Sequence, residues 1–103
     1  MDSVLSMLGL AYRARKVCLG DGVLENLGRI TYLFIASDAS DKTKERFLKK
    51  CSYYQIPYNL NYPGSSLSKA LGRNNVKIAG LCDQGFAKSL IDKEGSNNGK
   101  TNI

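Results

Sequence analysis

TYLFIASDASDKTKERFLKKCSYY, residues 31–54, is the stretch that decides the fold. Its apolar run, Tyr32–Ile35, is continuous, and such a run is typical of a strand covered on both faces, as in an α/β sandwich. A polar segment follows, in which Ser40 or Asp41 can accept a backbone N–H bond and start a helix. The helix predicted over 41–54 is amphipathic, because its apolar side chains recur at helical spacing while its basic side chains point mostly elsewhere. Those apolar residues are Phe47, Leu48, Cys51 and Tyr54.

The rest of the chain continues the alternation of helices and strands. Ser3 is placed as the cap of the first helix, a glycine-rich turn at Gly20 opens the second, and Ser65 or Ser66 caps the fourth. The predicted helices are 3–13, a brief one between Gly20 and Gly28, 41–54, one ending at Leu71, and 84–92 with Asp83 as its cap. The predicted strands are 16–19, 29–36, 58–61 and 76–82.

This order of elements predicts the fold class. Strictly alternating helices and strands with short connections indicate an α/β protein, here a three-layer α/β/α sandwich around a four-stranded, largely parallel or mixed sheet. A chain of 103 residues is expected to form one domain, which we place at residues 1–93. Residues 94–103 contain almost nothing apolar to bury, so we predict that this tail is disordered.

The sequence also indicates where the protein works. No apolar stretch approaches the roughly 20 residues that a helix needs to span a bilayer. The chain starts with an acid at Asp2 and has its first positive charges only after the apolar segment, the reverse of a signal peptide. We therefore expect a cytoplasmic protein that does not enter a membrane.

The charge balance favours an anionic partner. Fifteen Lys and Arg against nine Asp and Glu give a net charge of +6. Residues 1–50 carry nine bases and six acids, and residues 51–103 carry six and three, so each half contributes +3. The excess must therefore lie on the folded body, where a basic surface binds polyanions by releasing their counterions. A basic protein whose charges are merely solvated is an equally good reading of charge alone.

Several kinds of chemistry lack their usual residues. The chain has no His, which removes the commonest general base and the commonest nitrogen ligand for metals. Cys18, Cys51 and Cys82 are far apart in the sequence and lie in apolar runs, which favours small buried hydrophobes over reactive thiols. A GxGxxG dinucleotide fingerprint starting at Gly20 fails at Glu25. We therefore predict no enzymatic activity, no cofactor and no metal site.

Taken together, several short motifs give the chain a family resemblance. In their order, spacing and length they resemble the ribosomal L7Ae/L30e superfamily, and within it the small bacterial YlxQ-like branch. The motifs are GLAYRARK at 9–16, Gly20, ASDAS at 36–40, Cys51 with IPY at 56–58, LSKALG at 67–72 and DQGFAK at 83–88.

That resemblance implies an RNA-binding sandwich. Such proteins bind RNA, many at kink-turns, through the loop entering helix two and the loop after helix four, which correspond here to 16–26 and 69–75. A glycine-rich turn at a helix N-terminus suits phosphate, and the second loop offers a guanidinium and amides. The predicted RNA contacts are Arg13, Arg15, Lys16, Gly20, Gly22, Asn26, Lys69, Arg73 and Asn74. The resemblance also implies ribosome association, a monomer, and ribosomal or RNA-processing proteins as further partners.

The chain departs from the usual kink-turn pattern at helix two. Gly22, Val23 and Asn26 stand where that pattern has Asn, Glu and Lys, and Ser68 replaces a glycine. One missing base contact costs about 1–3 kcal/mol of discrimination. Two hypotheses stay open: recognition of a bent or bulged RNA element, and a protein-interaction module that binds RNA only weakly.

Two further groups of residues have ordinary structural readings. The basic cluster on the long helix, 42–50, is better explained as a solvated face with Glu45–Lys49 as an i,i+4 pair, with contact to RNA or ribosome as the alternative. By the same resemblance, Asp38 is a structural acid that ties loop backbone beside helix three.

Overall fold

All of the predicted helices and strands form, and they follow the predicted order. The computed structural model describes the backbone of residues 2–98 and the side chains of residues 2–92. The helices are α1 (Ser3–Arg13), α2 (Asp21–Glu25), α3 (Asp41–Tyr54), α4 (Gly64–Leu71) and α5 (Gln84–Asn98), with a short 3-10 turn at Leu27–Arg29. The strands are β1 (Val17–Leu19), β2 (Tyr32–Ile35), β3 (Tyr58–Asn59) and β4 (Ile78–Leu81).

The four strands form one mixed sheet, so the mixed alternative in the sequence prediction is confirmed and the largely parallel one is wrong. The strand order is β1-β4-β2-β3, and β4 runs antiparallel to both β1 and β2. Only β2 and β3 are parallel. Every residue of β2 and of β4 is buried, which agrees with their uninterrupted apolar sequences.

Two groups of helices cover the sheet and make the sandwich. On one side α1 packs against α4 and α5. On the other side α2 packs on β1 and β4, and α3 packs on β2 and the 3-10 turn. The largest fully buried side chains of the described residues are Tyr32, Phe34, Leu33 and Ile35 of β2, together with Leu8 of α1 and Leu67 of α4. None of the helices within residues 2–98 is both long and apolar enough to cross a membrane.

The helix starts differ in part from the prediction. Ser40 caps α3 as expected, its Oγ accepting from the Thr43 amide at 3.1 Å. The cap of α1 is Asp2 rather than Ser3, since Asp2 Oδ1 accepts from the Val4 amide at 2.7 Å. Helix α4 starts at Gly64 after Pro63, ahead of both predicted serine caps. Asp and Ser are both good caps, so sequence alone separates neighbouring candidates poorly.

The last helix is longer than predicted. Its backbone continues through Asn98, beyond the expected end at Asp92. Extending an existing helix costs far less free energy than nucleating a new one. A polar segment can therefore be helical when it continues a helix whose first half packs against the core. The rest of the predicted tail, 99–103, lies outside the described residues.

Candidate nucleic-acid interface

The two loops predicted to bind RNA start from neighbouring positions at one end of the sheet. Because β1 and β4 are antiparallel, the end of β1 lies beside the start of β4, with Leu19 opposite Ala79. The Gly20 amide donates to the Ile78 carbonyl oxygen at 3.1 Å. The turn that enters α2 is thus bonded to the strand into which loop 72–77 leads.

The first loop depends on the backbone freedom of Gly20. This residue has φ 54° and ψ −129°, a conformation that strongly favours glycine. Apart from adjacent residues and the helix's own backbone, no atom of the described part of the chain lies within 4 Å of where a Cβ would sit at Gly20 or Gly22, so this stretch of backbone faces open space. The Gly20 carbonyl oxygen accepts from the Val23 amide at 3.0 Å, which closes the turn. A ligand could therefore approach this backbone closely.

Asn26 has a structural partner within the same turn. Its Nδ2 donates to the Gly22 carbonyl oxygen at 2.7 Å. Val23, which occupies the place of the usual glutamate, is fully buried. Val23 and Asn26 therefore do not present the carboxylate and the ammonium group that the kink-turn pattern has at these positions. The sequence showed the substitutions, but only the structure shows that Val23 belongs to the core.

The second loop leaves α4 through a left-handed glycine and presents polar side chains to solvent. Gly72 has φ 67°, and the Arg73 amide donates to the Ser68 carbonyl oxygen at 3.0 Å. Arg73, Asn74 and Asn75 are all exposed. The Ser68 hydroxyl accepts from the Val76 amide at 2.8 Å. The serine that replaces the family glycine therefore holds the returning end of the loop.

Arg73 is oriented by a partner on α1. Its Nη1 donates to the Tyr12 hydroxyl at 3.1 Å. This bond ties the end of α1 to loop 72–77. Sequence reasoning placed Tyr12 in the apolar stripe of the first helix and gave it no part in the RNA site, although it lies within the GLAYRARK motif. Its hydroxyl limits the orientations of a guanidinium that otherwise has many rotamers, so Arg73 is partly preorganised for an anion.

Arg13, Arg15 and Lys16 lie away from the Gly20 turn. The Lys16 carbonyl oxygen accepts from the Cys82 amide at 2.8 Å, which places Lys16 at the opposite end of β1 from Gly20. At about 3.3 Å per residue, the strand separates these two backbones by roughly 13 Å. All three side chains are exposed at the junction of α1 and β1. The basic group and the glycine turn thus flank β1 rather than forming one cluster.

Lys69 lies in the last turn of α4, and Arg73 follows the left-handed Gly72 outside the helix. Lys69 is exposed and lines a shallow cleft between α1 and α4, together with Asp2, Leu5 and Ser66. Arg73 and Asn74 are also exposed, so these three residues near the end of α4 are the part of the predicted site that is open to solvent and close in sequence.

A fixed ion pair borders the same end of the sheet. Asp38 Oδ1 accepts from the Gly64 amide at 2.8 Å, and Asp38 Oδ2 lies 3.2 Å from Lys77 Nζ. The Gly64 bond first, and then Lys77, lower the pKa of Asp38 below its usual value. The structural role of Asp38 is therefore found, but the backbone it holds is the start of α4. Sequence reasoning missed Lys77, which it placed inside the predicted strand 76–82, whereas the structure starts β4 at Ile78.

The basic residues of α3 project away from the core. Phe47 and Cys51 are its buried residues, while Lys42, Lys49 and Lys50 are exposed. The expected Glu45–Lys49 pair forms at 3.3 Å with both side chains largely in solvent. Such a pair stabilises a helix by only a few tenths of a kcal/mol. Among the described residues no group of three or more His, Cys, Asp or Glu side chains could hold a metal ion.

This architecture defines a class of protein. Its alternating elements, its four-stranded mixed sheet and its two neighbouring loops are those of the L7Ae/L30e type of α/β/α sandwich. The Giardia lamblia 15.5kD RNA binding protein shares the fold with a TM-score of 0.75 at 15% identity, covering 93% of this chain and 91% of that one.

Closer relatives identify the family within that class. No protein-family model matches the chain. The RNA-binding protein YlxQ of Bacillus subtilis is 36% identical over 88 residues, covering 82% of this chain and 88% of the relative. That of Enterococcus faecium is 32% identical over 91 residues, covering 84% and 86%. A solved protein of unknown function from Bacillus halodurans has a TM-score of 0.82 at 34% identity, covering 89% of this chain and 96% of that one. The chain belongs to the YlxQ family.

Proposed function

We propose that the protein binds RNA through the end of the sandwich formed by the Gly20 turn, the end of α4 and loop 72–77. The observation that carries the proposal is the exposure of Lys69, Arg73 and Asn74 near the end of α4, with Arg73 oriented by Tyr12. The open Gly20 turn is bonded to Ile78, the first residue of the strand into which loop 72–77 leads. Two relatives above 30% identity are named RNA-binding proteins. The net charge of +6 supplies a general attraction for a polyanion.

Each part of this surface suits a different part of an RNA strand. Lys69 and Arg73 provide the cations that pair with phosphates, and a guanidinium can bind a phosphate through two parallel hydrogen bonds. The exposed Asn74 amide has both a donor and an acceptor, as base-edge recognition requires. The open Gly20 and Gly22 backbone allows a phosphate or sugar to approach without a side chain in the way.

The RNA target follows from what the surface can read. Base edges of a regular RNA duplex lie in a deep, narrow groove, so a short loop reads them only where the strand bends or bulges. Gly22 lacks the side chain of the asparagine that hydrogen-bonds a base in the usual pattern, and Val23 and Asn26, which are buried and internally bonded respectively, do not replace that contact. We therefore propose a bent or bulged RNA element recognised mainly by shape and phosphate position, with less kink-turn selectivity than the usual pattern gives. We place this RNA in the cytoplasmic ribosomal pool and the protein on it as a monomer.

The proposal predicts which substitutions weaken binding. Arg73→Ala and Lys69→Ala should each raise the Kd for a bulged RNA hairpin by about tenfold, because each removes a cation at the contact. Lys42→Ala on α3 removes the same charge from an exposed position outside the site and is the matched control. Tyr12→Phe should have a smaller effect, since Arg73 keeps its charge but loses its orienting bond. Titration of the fluorescently labelled hairpin at fixed salt measures all four.

The competing reading is a protein-interaction module on the same fold. If Lys69→Ala and Arg73→Ala bind as tightly as Lys42→Ala does, the loop surface is not the RNA site. Crosslinking in cells, followed by sequencing of attached RNA, identifies the target. Recovery of a protein partner after nuclease treatment, with no enriched RNA, would favour the module instead.

A further inference from the structure

Two cysteines that are far apart in the sequence lie next to each other on the sheet. Cys18 is in β1 and Cys82 directly follows β4, and the antiparallel pairing of these strands brings their sulfur atoms to 3.2 Å. A disulfide bond is about 2.05 Å long, so the two sulfurs are roughly 1 Å from bonding distance. Both side chains are half-buried, whereas Cys51 is buried in the core. Cys18 and Cys82 both pack against the hydrophobic core, as expected, but they are only partly buried and lie side by side.

We propose that Cys18 and Cys82 form an oxidisable dithiol that closes to an intramolecular disulfide when the protein meets a peroxide. The proposal rests on the closeness of the two thiols, because each sulfur reacts with the other at a high effective concentration when both are held side by side. Cys18 is the middle residue of β1, and the Cys82 amide donates to the Lys16 carbonyl oxygen at the end of β1 opposite to Gly20. The dithiol proposal does not depend on the proposed function.

The reaction balances with hydrogen peroxide as the oxidant. One sulfur, as its thiolate, attacks a peroxide oxygen, the O–O bond breaks, and a sulfenic acid and one water form. The second sulfur then attacks the sulfenic sulfur, the S–S bond forms, and a second water leaves. Two electrons pass from the thiols to the peroxide, and the two thiol protons end in the waters. A small dithiol such as dithiothreitol reverses the change by exchange.

The position on the sheet makes closure feasible. Strand β1 is at the edge of the sheet and pairs with β4 alone, so it can shift slightly without breaking a second ladder. Cys18 faces Gly80 across the pair, and Cys82 is the next residue on the same side of β4. The link would join residues 64 positions apart in sequence, a separation at which a disulfide removes much chain entropy from the unfolded state.

The environment of Cys82 should determine how fast the disulfide forms. Burial, together with the adjacent Cys18 sulfur, raises the pKa of Cys82 to about 11, against a smaller opposite effect of Arg29 and Lys16. Only the thiolate is nucleophilic, so the Cys82 thiol is a poor nucleophile at neutral pH. Closure should therefore be slow at pH 7 and faster at pH 9.

Thiol counting on the intact protein tests the proposal. The reduced chain is treated with hydrogen peroxide at pH 8, quenched, denatured and alkylated with iodoacetamide. One alkylated cysteine, Cys51, is expected in place of three, together with a monomer about 2 Da lighter before alkylation. Tryptic digestion should give peptides 17–29 and 78–88 joined by a bond that dithiothreitol cleaves. Three alkylated cysteines after oxidation, or only covalent dimers, would overturn the proposal.

A second measurement separates the disulfide from other oxidation products. Closing a loop of this length should raise the Tm of the oxidised protein on the order of 10 °C above that of the reduced protein. Cys82→Ser, which keeps a small polar side chain, should show no peroxide-dependent rise in Tm and no linked peptides. An equal rise in Cys82→Ser would contradict the assigned pair.

Discussion

At the scale of single residues, Asp38 shows how one carboxylate can organise several backbone segments. It joins the loop after β2 to the amide that starts α4 and to Lys77 just before β4. Helix α4 lacks a side-chain cap from its own N-cap residue, Pro63, so Asp38 supplies that interaction from a distant part of the sequence. The helix that carries Lys69 is therefore held at its first residue by an acid at the same end of the sheet.

The charge of Asp38 should make a pH-dependent contribution to stability. A lowered pKa means that the folded state favours the ionised form, so the contribution is present at neutral pH and is lost as the pH falls below 3.8 through the lowered pKa. Asp38→Asn keeps an oxygen that can accept from Gly64 but loses the charge. Its urea midpoint should lie below that of the unchanged protein at pH 7, and the two should converge toward pH 2.

The matched control removes another paired acid. Glu45→Gln breaks the solvated pair with Lys49 and should leave the urea midpoint almost unchanged at both pH values. A constant difference between Asp38→Asn and the unchanged protein from pH 7 to pH 2 would show that lost charge is not the cause.

At the scale of elements, the close contact between α1 and α4 depends on one glycine. A Cβ built on Gly9 would lie 2.9 Å from the Ala70 carbonyl oxygen, a backbone atom that cannot move aside as a side chain can. Gly9 is buried, so the two helices approach closely because this position has no side chain. The same contact positions Tyr12, one turn later, next to Arg73.

Gly9→Ala should therefore destabilise the protein. Although alanine favours helix, the added methyl must push α4 away, at a cost of about 1–3 kcal/mol in the free energy of unfolding. Gly28→Ala is the matched control, because nothing lies within 4 Å of its added Cβ. We expect that variant to change stability by no more than about 0.5 kcal/mol. Urea unfolding of both variants gives the comparison, and equal effects would rule out crowding at Gly9.

At the scale of the whole molecule, the positive charge is spread over the body while the proposed RNA surface is local. Residues 1–50 and 51–103 each contribute +3, and exposed cations also occur on α3, far from the loops in sequence. Affinity therefore has a general electrostatic part and a part that depends on the contacts at one end of the sandwich. The salt dependence of the binding constant distinguishes these two parts of the affinity, because each phosphate that a cation neutralises releases counterions and steepens that dependence.

The salt dependence of RNA binding should reflect this local contact. A log–log plot of the binding constant against salt concentration should fall with a slope of several units. Lys69→Ala and Arg73→Ala should each reduce the magnitude of that slope by about 1, because one phosphate contact is lost. Lys42→Ala should leave the slope unchanged. Identical slopes for all variants would mean that the affinity arises from diffuse charge rather than from the loops.

Much of the fold could be predicted because its signals are local. The bounds of α1 and α3 agree with the predicted ones, since amphipathic spacing and a nearby cap act within a few residues. The strands were found, but several are shorter than predicted, because pairing with a neighbour sets where a strand ends. The candidate site was predicted from motifs, and the structure separates Lys16 from Gly20 within it.

The sequence by itself determined the order of helices and strands, the apolar cores of β2 and β4, and the basic character of the surface. Only the tertiary structure decided that β4 lies between β1 and β2. That pairing places Gly20 beside Ile78 and Cys18 beside Cys82, and it places Lys16 at the far end of its strand. The reason is physical: periodicity and capping act over one or two turns of chain, whereas strand pairing joins residues some sixty positions apart and depends on how the whole core packs.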